Sequence, residues 1–372
     1  MISLKTNTTP FVVRLAAVLI SLLAIGYVII IAKELLVPLV FSLLFSILLL
    51  PISVFFERKM KFGRGAASGV AVVTFILCVY VVVYTIGSQL SNLASDWPLF
   101  KTQLQSSFSN LQDWIASTFH YNISKQTSYL KTATSKVLSG STTVISSTLL
   151  SVTSMVLFTV LTLIYTFFLL FYRSVLLKFL NALVNDESNP IVHDVVSEIQ
   201  IVIRKYILGL LLEMLIVATF CWLSFGILGI KYFILLGLIT ALFNIVPYIG
   251  IFTALLLSAV ITFATTGVST HLLLVVITIV VVHLIDSNVL LPLVVGSKVS
   301  INAMVTVIGV IVGEMMWGLS GMFLSVPVIA MLKIVCDRVE PLKPWSILLG
   351  HEKGPRKVIK FMTKKKIVAE PA

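Results

Sequence analysis

Long apolar runs separated by short polar interruptions dominate the chain, and their lengths set the first expectation. A helix needs about 20 apolar residues to cross a hydrocarbon slab of ~30 Å. Runs of that order cover residues 15–32, 35–57, 66–90, 149–172, 206–228, 232–264, 271–291 and 304–334. The pattern predicts an all-α, polytopic transmembrane protein with about eight spans. Four parts follow. Residues 1–90 hold a transmembrane helical hairpin and a third span, and residues 91–147 form an extramembrane region. Residues 148–350 form a second transmembrane region, and residues 351–372 a basic tail. The first run is not read as a signal peptide, because no small-residue cleavage site follows and the next run begins almost at once. Lys33 and Glu34 mark the tight link of the hairpin, and Pro38 falls in the first turns of its second helix.

Two runs carry interruptions. Residues 237–264 hold Asn244, Pro247, Tyr248 and Gly250 in mid-run. Pro247 lacks an N–H and its ring clashes with the preceding turn, so a break or kink is expected near Ile245. Backbone groups freed at membrane depth are tolerated only where protein or a water-filled cavity satisfies them. Broken helices near the midplane are also where secondary transporters place their binding sites. A simple proline kink in a packing helix fits the same residues. The last run is interrupted by Gly309, Gly313, Glu314, Gly318, Gly321 and Pro327. Gly313, Gly318, Gly321 and Pro327 are taken as its helix breaks. Gly65 with Gly69, and Gly309 with Gly313, have the spacing that permits close helix packing. Re-entrant turns at the two interrupted runs remain an alternative to spanning. They must be paired or absent, since a single one would carry the tail to the other side.

Composition sharpens this picture. The chain has 372 residues, 58% hydrophobic and 11% charged, with a mean hydropathy of +1.09. Soluble domains carry roughly 25% charged residues. The net charge of +12 does not point to nucleic acid, because the basic residues sit beside apolar runs. The lysine and arginine bias puts the N-terminus, residues 58–64, residues 173–205 and the tail on one side, read as cytoplasmic. That tail carries Lys353, Arg356, Lys357, Lys360, Lys364, Lys365 and Lys366 against Glu352 and Glu370. It either binds anionic head groups or merely fixes topology. Within residues 91–147, Leu104, Phe108, Leu111, Ile115 and Phe119 recur at helical spacing, so one face is apolar. The poverty of that face in lysine and arginine favours protein contact over a membrane surface. Cys78, Cys221 and Cys336 have neither zinc nor disulfide spacing.

Ionisable groups inside apolar runs are the candidates for chemistry. An aspartate at a helix centre costs roughly 2.5–3.5 kcal/mol on insertion scales, so it usually faces the bundle interior or a substrate path. Asp286 comes first, beside Ser287 and Asn288 and six residues before Pro292. Burial disfavours its charged form, which suits proton exchange near neutral pH. The bland alternative is an ion pair, with Lys298 as partner. Glu213 and Glu314 are further candidates, and His283 shares a helix face with Asp286. Asn244 both donates and accepts hydrogen bonds, which suits a polar uncharged substrate or the carbonyls released by Pro247. No cofactor or metal ligand set is evident, and an enzyme is not expected: the sequence lacks H-E-x-x-H, P-loop and G-x-S-x-G motifs.

Four stretches carry a resemblance. Asn244-Ile-Val-Pro-Tyr-Ile-Gly250 is similar to the central signature of the autoinducer-2 exporter family of membrane transporters. Tyr206-Ile-Leu-Gly209, Asp286-Ser-Asn-Val-Leu-Leu-Pro292 with Gly296, and Gly318-Leu-Ser-Gly321 running to Pro327 agree in order and spacing. The similarity is strongest from about residue 199 to 350. It implies a secondary transporter of the inner (cytoplasmic) membrane and a homo-oligomer, expected as a pentamer. Its pathway would run past Asn244, Pro247, Tyr248, Gly250, Asp286, Asn288, Pro292, Glu213 and Glu314. Two positions depart from the family pattern. Leu210 stands where glutamine usually follows the glycine, with Glu213 as a substitute source of polarity. Ile251 stands where a proline is common, so a softer break is expected. The resemblance implies export of a small polar, sugar-derived signal, with sodium or lithium exchange for protons as one alternative. A membrane scaffold built on residues 91–147 is another. Expected partners are the solute, protons or sodium, and lipid, with no nucleic acid.

Overall fold

The computed structural model describes residues 10–96, 98, 102, 106, 109, 141–184, 189–246, 249–266, 269–290, 293 and 301–350. Most of residues 91–147, the tail, Pro247, Tyr248, Pro292 and Lys298 lie outside them.

The described residues are helical because a backbone in lipid must satisfy its own N–H and C=O groups. Hydroxyls within the apolar helices follow the same rule. Ser42, Ser46, Thr162, Thr166 and Thr240 each donate to a carbonyl three or four residues earlier. The first helices are α1 (Phe11–Ile31), α2 (Lys33–Lys59), α3 (Arg64–Ser95), α4 (Ser141–Phe171) and α5 (Arg173–Ala182). The long α6 (Asn189–Ile227) follows, then α7 (Phe233–Phe243), α8 (Ile249–Thr266) and α9 (Ser269–Ile285), which runs into a π-turn (Asp286–Leu290). Last come α10 (Ala303–Trp317), α11 (Leu319–Arg338), a short 3₁₀ turn and α12 (Lys343–Leu349). Seven of these helices are long and apolar enough to cross a membrane, and three shorter ones are also apolar.

α1 and α2 meet at the single residue Ala32 and touch sparsely, and α1 has no buried residue. The tight link therefore does not pack the two helices lengthwise. α2, α3 and α4 form a small bundle around Leu49, Ala71, Val72 and Leu170. The close face of α3 is Ala67, Ser68 and Ala71, all buried. Gly65 makes only ordinary contact with Phe171 and Gly69 meets nothing, so this pair is not the packing seam that its spacing suggested. On the side expected to be cytoplasmic, Arg173 pairs with Glu57 at 2.5 Å and Arg64 donates to Ser174.

α6 is the spine. Its first turns are polar and its later ones apolar, so one continuous helix replaces the separate polar segment and span expected there. Through Ile203, Tyr206 and Ile207 it packs on α2 and α11. Through Val217, Cys221 and Phe225 it packs on α7, α8 and α9. Both interrupted runs fold back on themselves beside it. Residues 232–264 are not one kinked span but an antiparallel hairpin of α7 and α8. The break is complete despite Ile251, and Gly250 is what permits it, because a Cβ there would lie 1.7 Å from the carbonyl oxygen of Phe243. The run 304–334 is likewise two antiparallel helices, α10 and α11. Gly318 is its turn, with φ +62° and ψ −142°, a conformation open to glycine. Gly313 and Gly321 lie inside the helices, where their backbones touch, and Pro327 sits within an unbroken α11.

Candidate functional site

Three contacts fix the register of the first hairpin against the spine. Trp222 Nε1 donates to the carbonyl of Ile234 at 2.9 Å, Gly226 meets Phe233, and Asn244 meets Glu213. α7 thus runs antiparallel to α6 and ends at the level of Glu213. With 11 residues it is about 16 Å long, roughly half the hydrocarbon thickness. The hairpin tip therefore ends partway along α6, at the level of Glu213.

The second hairpin reaches the same level from the other end. Arg338 at the end of α11 pairs with Asp194 and Glu198 at the start of α6. From Arg338 back to Gly318 is about 30 Å of helix, and from Asp194 on to Glu213 about 28 Å. Leu210, one turn before Glu213, shares a cluster with Trp317 and Leu324. The base of this hairpin is closed by a backbone bridge between Ile301 and Gly350. Asn302 caps α10, its side chain accepting from the amide of Met304 at 2.9 Å.

Where the first tip meets α6 lie two carboxylates. Asn244 Nδ2 donates to Glu213 Oε1 at 3.1 Å and to Asp286 Oδ2 at 2.9 Å. Both acids are buried, Glu213 at 3% and Asp286 at 4% exposure. Their remaining oxygens, Glu213 Oε2 and Asp286 Oδ1, are buried with no hydrogen-bond partner. Among the described residues no lysine or arginine pairs with either acid, and no group of three or more potential metal ligands occurs. Asp286 opens the π-turn at the end of α9, where the wider helical turn carries it towards α6.

The other sequence candidates fall elsewhere. Asn288 is exposed and donates to Leu284 and Ser287 within its own turn. Glu314 is exposed on α10. His283 keeps a buried Nδ1 without a partner. Gly250 closes the tip of the first hairpin, while Pro247, Tyr248 and Pro292 lie outside the described residues.

A contact that sequence reasoning missed ties this hairpin at its base. Lys231 and the hydroxyl of Tyr232 both donate to Asp96 at the end of α3. Tyr232 holds a left-handed backbone, φ +62°, unusual for a bulky residue. The hydrogen bonds from Lys231 and Tyr232 hold the Asp96 carboxyl below its usual value of 3.8.

A family model described as AI-2E family transporter matches residues 19–340. The chain is 34% identical over 130 residues to the Bacillus subtilis protein named "Putative transport protein YrrI", covering 35% of this chain and 36% of that protein. It is 32% identical over 131 residues to "Putative transport protein YueF" of the same organism, 35% of each chain. It is 23% identical over 133 residues to "Putative permease PerM" of Escherichia coli, 36% of this chain and 38% of that one. Each match thus spans little more than a third of the relative's length.

Proposed function

The chain belongs to the AI-2E transporter family, and from that premise we propose that it is a secondary transporter exporting a small polar organic solute across the cytoplasmic membrane. The observation that carries this reading is Asn244 at a hairpin tip beside α6, bridging the buried Glu213 and Asp286. A polar solute entering there finds acceptor oxygens at Glu213 and Asp286 and an amide that both donates and accepts. Two hairpins that approach neighbouring turns of α6 from opposite ends suit alternating access, since either tip can withdraw while the other stays closed. Gly250 and Gly318 let the chain reverse at those tips. Both termini on the cytoplasmic side, and assembly into a homo-oligomer, belong to the same proposal.

One observation favours a second reading, sodium or lithium exchange for protons: the paired carboxylates lack a cationic partner among the described residues. Everted membrane vesicles with a pH-sensitive dye separate the two. Alkali-cation-driven dequenching that is lost in Asp286→Asn supports antiport and displaces the exporter. No dequenching, with efflux of a polar solute that falls to the empty-vesicle level in Asp286→Asn, supports export. If wild-type vesicles do neither, the transport reading fails and a scaffold role for the chain takes its place.

A further inference from the structure

We propose that Glu213 and Asp286 hold one exchangeable proton between them, in a site built for a proton and closed to alkali cations. As a binding site this stands on geometry alone; as the coupling site of transport it rests on the reading above.

Each acid places one oxygen on the same amide nitrogen and leaves the other buried without a partner. Two carboxylates side by side, out of water and with no counter-charge among the described residues, do not both stay ionised. One proton removes one charge and gives the pair the O–H donor that it lacks. A metal ion is disfavoured by the orientation of Asn244. Asn244 turns its N–H₂ towards both acids, which places hydrogens between them where a cation would need oxygens.

Among the described residues, the neighbouring titratable groups supply no fixed positive charge. Tyr206 lies two turns earlier on α6, and its hydroxyl interacts electrostatically with Glu213. His283 lies one turn before Asp286 with its Nδ1 unpartnered, and Cys221 is buried further along α6. α7 contributes Asn244, and α8 has no titratable residue. On the second hairpin the nearest is the exposed Glu314, with Lys333 near the far end of α11. When the proton leaves to water, two carboxylates remain that repel each other across Asn244. Proton occupancy therefore sets how firmly the tip of the first hairpin is held.

Infrared titration of the purified full-length protein in detergent tests this. The expected spectrum has one buried protonated-carboxyl band at neutral pH that disappears on alkalisation. It should be lost in Glu213→Gln and in Asp286→Asn alike, and unmoved by saturating lithium or sodium chloride. A band that survives both substitutions, or that alkali salt abolishes, overturns the proposal, as does its absence from the wild type. The salt arm and the wild-type spectrum need no variant, so a substitution that prevents folding does not shelter the idea. Because the spectrum is read without a gradient, a present band with no solute efflux sinks the transport reading alone. Efflux without the band sinks the proton site alone.

Discussion

The two hairpins solve the same problem by different means. Both turn back inside an apolar run and both pack on α6, the first at Glu213 and the second near Leu210, yet different forces hold them. The α10–α11 hairpin is locked by its own backbone. A Cβ on Gly321 would lie 1.9 Å from the carbonyl oxygen of Gly313, Gly309 packs on Ile329, and the Ile301–Gly350 bridge ties the base. The α7–α8 hairpin is held at its tip by a neutral amide between two acids, and at its base by Asp96. Backbone contact does not respond to pH or ligand, whereas hydrogen bonds to ionisable groups do. The first hairpin is therefore the responsive one.

The largest expected effect breaks the rigid side of this comparison. Gly321→Ala forces α10 and α11 apart against backbone, which costs about 3 kcal/mol, the upper end of what overpacking usually costs. Thermal unfolding in detergent should show it as a clear loss. A neutral outcome would mean that the glycine contact is not what closes this hairpin. Next in size, Asn244→Ala removes the side chain that bridges the acids among the described residues and leaves their oxygens unsatisfied, for about 2 kcal/mol. Its mark should be local: faster hydrogen exchange in residues 233–246, with residues 303–338 unchanged. Equal changes in both hairpins would erase the distinction drawn between them.

The smallest effect sharpens the comparison at the base. The Asp96 carboxyl is held below 3.8, so its contact with Lys231 and Tyr232 is fully present above that value. It is lost as the pH falls through the depressed folded value. Hydrogen exchange around residues 228–232 should rise at strongly acidic pH in the wild type. In Asp96→Asn it should already be raised at neutral pH and show no such acid step. An acid step that persists in the variant would assign the sensitivity to another group.

Much of the fold was legible because lipid imposes a simple rule. A long apolar run must be helical, and the runs around α2, α3, α4, α6 and α9 stand close to where their hydropathy puts them. Asp286, Glu213 and Asn244 stood out because ionisable or amide groups are costly in such runs. Harder to read was the sense of the breaks. Asn244 to Gly250 fits a kink or a reversal equally well, since proline and glycine mark an interruption but not its angle. Gly313 and Gly321 looked like breaks, although they are contact points inside helices. Tyr232 and Asp96 carry no motif at all, being far apart in the chain.

The sequence by itself determined that this is a helical membrane protein of a transporter family, with acids buried in its spans. Those conclusions follow from the run lengths, the cost of charge in lipid and the spaced motifs. Only the tertiary structure decided that both interrupted runs fold back, that both pack on α6, and that Asn244 joins Glu213 to Asp286. The reason is one of range. Hydropathy and helix propensity act over a few turns, while the direction of a hairpin is set by what its far arm packs against.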